Sequence, residues 1–96
     1  MVHNLMEYKV KMMDMEIISK LLDEINDDRT VPRNIRNMVQ EAKDNLNGKQ
    51  ELAVRINAAI SLLDDVSNDT NIPTYTRTQI WNIVSMLEVM NENAKV

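Results

Sequence analysis

Two stretches of this chain are versions of one another. Residues 21–46, LLDEINDDRTVPRNIRNMVQEAKDNL, align without a gap on residues 62–87, LLDDVSNDTNIPTYTRTQIWNIVSML, at an offset of 41. Leu21, Leu22, Asp23, Asp28, Pro32, Arg36 and Leu46 recur as Leu62, Leu63, Asp64, Asp69, Pro73, Arg77 and Leu87. Glu24/Asp65, Ile25/Val66, Val31/Ile72 and Val39/Ile80 are conservative matches. A fixed offset of this size marks a duplicated supersecondary unit. It constrains architecture more tightly than any local propensity, and by itself says nothing of activity.

The repeated unit reads as helical. One glycine and two prolines in 96 residues leave little chain for the tight turns of a sheet. The interior must be filled by Leu, Ile, Val, Met and Ala, because there is no Phe, one Trp and two Tyr. A chain this short forms one domain, 1–96. It buries only about 60–68% of its unfolded surface, enough for one modest core but not for a deep substrate cavity as well.

Four helices are predicted, at about 4–26, 32–46, 49–68 and 73–91. In the first, Leu5, Met12, Met15, Ile18, Leu22 and Ile25 form one apolar stripe, and Met6, Val10, Met13, Ile17 and Leu21 widen it. Asn4 can cap its start, with Glu7 three residues on. Pro32 suits the first turn of the second helix, where its missing N–H is not needed. Val31 then lies outside that helix and can turn into the core. The second helix is apolar on one side only, through Ile35, Met38, Val39, Ala42 and Leu46. Gly48 is expected to close it with a left-handed residue. The third helix carries Leu52, Ile56, Ala59, Ile60, Leu63 and Val66, with a second face of Val54, Ala58 and Leu62. The fourth carries Ile80, Ile83, Val84, Leu87 and Met90, and residues 93–96 should fray.

The expected fold is therefore all-α, a four-helix antiparallel bundle made of two duplicated αα-hairpins, about 4–46 and 49–91. The wide faces of the first and third helices should meet inside, with the second and fourth as flanks. A short two-unit stack of HEAT-like pairs is the alternative, but three or more units are usual for a stack.

The residues give no support for catalysis or a cofactor. The absence of Cys excludes disulfides, thiolate metal sites and cysteine nucleophiles. His3 is the only histidine and stands near the terminus, so neither the Glu-x-x-His pairs of a di-metal bundle nor a base for a serine nucleophile is supplied. The acidic groups Asp23, Glu24, Asp27, Asp28 and Asp64, Asp65, Asp69 lack the calcium-loop spacing. A single glycine rules out a glycine-rich phosphate loop. The expectation is a protein that is not an enzyme, with no cofactor, metal or small-molecule substrate.

The repeated Asp28–Arg36 and Asp69–Arg77 sets read as structural pairs, an Asp accepting backbone N–H groups and an Arg one turn into the helix reaching back to that Asp or, with a forked contact, to the partner helix. A net charge of −4 argues against nucleic-acid binding driven by phosphate neutralisation. The alternative reading, an acidic nucleic-acid or nucleotide accessory protein, would use Arg29, Arg33, Arg36 and Lys43. The favoured reading is a non-enzymatic protein-interaction or structural module, with self-association as a homo-oligomer among its expected forms. Its candidate partner surface is Met6, Tyr8, Val10, Met13 and Trp81, since flexible methionines suit adaptable surfaces and Trp is a common interface anchor. Ordinary core packing competes for the methionines, and packing at the core edge for Trp81. No apolar run reaches the length of a membrane span, and the amino end lacks a signal-peptide pattern; a cytoplasmic location is the expectation.

At VPRNIR (31–36), the helix that follows it, and IWNIVSMLE (80–88), the chain resembles a small, functionally uncharacterised archaeal family of all-helical proteins. The resemblance runs from about residue 17 to residue 88. It implies a four-helix fold and an archaeal cytoplasmic setting, and brings no activity, cofactor or site residue with it.

Overall fold

The structure, a computed structural model, describes the backbone over residues 2–94 and the side chains over residues 14–93. It contains four helices, α1 (Val2–Asn26), α2 (Arg33–Leu46), α3 (Leu52–Ser67) and α4 (Thr74–Ala94), and no strand among the described residues. α1 includes Asn4, so Asn4 is not a cap. α4 runs on through Asn93 and Ala94 where fraying was expected; Lys95 and Val96 lie outside the described residues.

The two prolines do the same local work. The Pro32 carbonyl accepts the Arg36 N–H at 3.0 Å, and the Pro73 carbonyl accepts the Arg77 N–H at 3.1 Å. Each proline thus stands one residue outside its helix and starts the ladder from a fixed φ. The preceding loops are folded by the aspartates. An Asp28 carboxylate oxygen accepts the Thr30 N–H at 2.9 Å and the Thr30 hydroxyl at 2.6 Å. An Asp69 carboxylate oxygen accepts the Asn71 N–H at 2.8 Å. These are Asx turns, which substitute a side chain for a backbone turn.

Gly48 departs from its expected role, because its φ is not positive. Asn47 ends α2 instead, its N–H bonding the Lys43 carbonyl at 3.2 Å and its side-chain amide donating to the same oxygen at 3.0 Å. A Cβ at position 48 would stand 3.2 Å from the Asn45 carbonyl oxygen. Close approach of backbone, rather than a left-handed conformation, is what favours glycine there.

The core draws on every helix. Ile18, Leu22, Ile25, Val31, Ile35, Val39, Ala42 and Leu46 are buried, and so is the residue 41 positions after each: Ala59, Leu63, Val66, Ile72, Thr76, Ile80, Ile83 and Leu87. Val84 and Met90 complete the buried stripe of α4. Met15, Leu21, Met38, Leu52, Ile60, Leu62 and Met86 pack around it, half-buried. Val54 is exposed while Ala58 and Leu62 are half-buried, so the second face assigned to α3 is only partly covered.

α1 packs on α2 and α4, and α3 packs on α2 and α4; the backbones of α1 and α3 do not approach closely. This corrects the expected arrangement with α1 and α3 at the centre. Contacts thus pass from α1 to α2, from α2 to α3, from α3 to α4 and from α4 back to α1. α1 and α2 run antiparallel: Lys43 pairs with Asp23 at 2.6 Å, and Asn26 bonds Gln40 at 3.0 Å, the partner falling as the position rises. In that register Leu46, the end of α2, stands level with Lys20. The 18 residues of α1 before Lys20 therefore run past α2, giving a molecule 47 Å long and 19 Å across.

Candidate interaction surface

The cations assigned to structural or anion-binding roles divide sharply. Arg77 is a staple: its Nε donates to the Ser67 carbonyl at 3.0 Å and its guanidinium to the Asp69 carbonyl at 2.9 Å. It thus ties the end of α3 to the start of α4 through main-chain oxygens, not through the Asp69 carboxylate. Arg36, its counterpart, makes no such bond, and its Nε is buried without a partner. The expected Asp–Arg side-chain pairs are therefore not formed, because the Asp28 and Asp69 carboxylates are occupied by their own loops. A third arginine, Arg55, does for the α2–α3 turn what Arg77 does for its loop, donating to the Gln50 and Leu46 carbonyls at 2.9 and 2.8 Å.

Of the four cations proposed for anion binding, Lys43 is held by Asp23 and Arg36 is half-buried. Arg29 and Arg33 are exposed. The Asp28 carboxyl lies below its ordinary value, first because the Thr30 hydroxyl donates to it and second because the Thr30 N–H does, against a small opposing effect of burial. Among the described residues no three His, Cys, Asp or Glu side chains come together as a metal site would require, and no helix is long and apolar enough to cross a membrane. A shallow groove of about 350 Å³ lies where α1 passes the end of α2, lined by Met15, Glu16, Ser19, Lys20 and Asn47.

Apolar exposure is the more informative feature. Trp81 is 56% exposed, Val89 59% and Ile17 45%. Trp81 does not pack at the core edge; it sits on the outer side of α4, away from the Ile80–Ile83–Leu87 stripe. On α1, Asp23 and Asn26 reach toward α2, and Ile17 lies on the other flank of the Ile18–Leu22–Ile25 stripe. On α4, Asn91 bonds Asn57 of α3 at 3.0 Å, and Val89 stands on the side of the helix opposite Ile80.

Of the sequence-predicted partner residues, Trp81 is thus placed at the surface. The side chains of Met6, Tyr8, Val10 and Met13 lie outside the described residues. Sequence reasoning put Ile17 in the same stripe as Met6, Val10 and Met13, yet counted it toward the core. It passed over Val89, whose only signal was its place just off the helical stripe.

The UPF0147 profile, that of an uncharacterised protein family, matches residues 3–90. The UPF0147 protein of Methanocaldococcus jannaschii is 53% identical over 72 residues, 74% of this chain and 77% of that one. The UPF0147 protein of Methanosarcina acetivorans is 50% identical over 72 residues, 74% of each chain. A crystal structure of a UPF0147 protein from Thermoplasma acidophilum matches with a TM-score of 0.81 at 35% identity, covering 85% of this chain and 98% of that one. A crystal structure of MMP1188, a protein of unknown function, matches with a TM-score of 0.75 at 54% identity, covering 78% of this chain and 86% of that one. The chain belongs to UPF0147, a small uncharacterised family with many archaeal members and an all-helical fold.

Proposed function

We propose that the chain is a non-enzymatic protein-interaction module of the cytoplasm. Its scaffold is read as two αα-hairpins related by the 41-residue offset, each burying its apolar stripe on the other. The observation that carries the reading is the exposure of Trp81 and Val89 on the outer side of α4, with Ile17 exposed on α1. Large apolar side chains grouped at a surface mark contact sites more often than isolated ones do. Ile17 also ends the stripe that contains Met6, Val10 and Met13, so the candidate surface extends along α1. Trp81 would serve as the anchor, since a half-covered Trp gains both area and a directed N–H on docking.

The test is capture from native extract of the source cells, followed by reconstitution with the purified partner. The wild-type chain should retain a defined protein, and Trp81→Ala should lose it while the melting curve holds. Equal retention by Trp81→Ala and by wild type, or no retained protein at moderate salt, would overturn the reading.

A further inference from the structure

We infer that two copies of the chain pair through the outer face of α4, antiparallel and two-fold about Asn82. This rests on the interaction-module reading and names its partner. The first support is a comparison within the molecule. The outer faces of α2 and α4 correspond at the 41-residue offset and are exposed alike. On α2 that face carries Arg33, Glu41 and Asp44; on α4 the same positions are Thr74, Asn82 and Ser85. Three further positions exchange Asn34, Gln40 and Gly48 for Tyr75, Trp81 and Val89, which are 70%, 56% and 59% exposed. One version of the unit is thus charged toward water, as a solvated helix is, and the other is neutral and partly apolar there. Exposed aromatic and branched side chains grouped on one helix mark a contact surface.

The second support identifies the occupant. Between residues 74 and 87 the only charged side chain is Arg77, and its guanidinium is held by the Ser67 and Asp69 carbonyls. In a chain of net charge −4, this is a face on which a second copy meets no like charge. Its apolar residues are also placed symmetrically. Tyr75 stands seven residues before Asn82 and Val89 seven after, with Thr78 and Ser85 between them at spacings of three and four, so all five lie along one side of the helix. Pairing two such helices antiparallel sets Tyr75 of each copy on Val89 of the other, about 10 Å from the centre. It also brings the two Trp81 side chains together near the middle, where anchors concentrate. The same register separates the acids that follow. Glu88 is exposed, and each comes level with the uncharged 74–76 stretch of the other α4. The two Glu88 then stand about 18 Å apart along the axis, beyond the screening length of about 8 Å at physiological salt. A parallel pair would set them side by side. An isologous contact of this kind closes as a dimer.

One helix against one helix falls at the small end of specific interfaces, below about 1,200 Å² in total, so the dimer is expected in the upper part of a concentration series. Sedimentation equilibrium of the full chain, from low micromolar to near-millimolar, should show a mass that rises from the 11.1 kDa of the chain toward twice that value. Asn82→Glu and Ser85→Asp place on α4 the acids that α2 carries at those positions. Both sites are exposed, so helical circular dichroism should hold while each variant stays monomeric throughout. Asn37→Asp adds an acid to the exposed face of α2 instead and should dimerise as the wild type does. A wild-type monomer at every concentration would overturn the inference, as would a dimer that persists in either α4 variant or is lost equally in Asn37→Asp. A monomeric wild type that still captures another protein through Trp81 would overturn the dimer alone and leave the interaction reading standing.

Discussion

Thr76 stands in the second half of the chain where Ile35 stands in the first, and both are buried in the same core. The Thr76 side chain is fully excluded from water, and its hydroxyl has no hydrogen-bond partner. A buried hydroxyl without a partner carries a desolvation cost that an apolar group of the same shape does not. Thr76→Val keeps the β-branched shape and removes the hydroxyl. It should raise stability by about 1 kcal/mol, measured by urea unfolding with an unchanged m-value. A loss of stability would mean that the hydroxyl is satisfied after all.

Arg36 and Arg77 occupy the same place in the two halves and differ in what they hold. Arg77 bonds two carbonyls at the α3–α4 loop, and Arg36 bonds neither counterpart. Arg77→Ala should therefore cost about 1–2 kcal/mol more than Arg36→Ala, since charged-donor bonds exceed neutral ones. Denaturant midpoints of the two variants decide the matter; equal losses would contradict the assignment.

The Asp28 carboxyl is the group whose titration the structure perturbs. The Thr30 hydroxyl and N–H both donate to it and favour its charged form. Its folded-state value is depressed relative to the unfolded chain. The stability this contributes is complete above the ordinary aspartate value and is lost as pH falls through the lower folded value. Asp28→Asn should flatten that acid-side loss, and carboxyl NMR titration should find Asp28 below the ordinary aspartate value. An Asp28 titrating at the ordinary value would refute the Asx turn.

How much of this was legible in the sequence depends on what each residue answers to. The four helices and most of the core followed from spacing, because Leu22 with Ile25, Ile35 with Val39, Leu63 with Val66 and Ile83 with Leu87 share a face wherever a helix forms. The prolines marked two helix starts, since a fixed φ leaves few alternatives. The packing order was not legible. Stripe width suggested that α1 and α3 meet, but width does not say which flank faces which neighbour. Gly48 was misread because a glycine after a helix answers to either a positive φ or a crowded carbonyl, and only coordinates separate the two. The spacing left two partners open to Arg77, and the Asp69 carboxylate is spent on Asn71, so the guanidinium takes the carbonyls at the end of α3 and in the loop instead. At the surface, Trp81 was singled out by its type, while Ile17 was counted toward the core, because exposure is a property of the neighbours.

The central claim is that two equivalent halves seal one core, and Leu22 and Leu63 report on it most directly. Both are fully buried at matching positions. Leu22→Ala and Leu63→Ala should each cost about 2–5 kcal/mol, read by denaturant unfolding as a single cooperative transition with coincident fluorescence and circular dichroism. A neutral substitution at either position, or an unfolding curve that separates into two steps, would contradict the account.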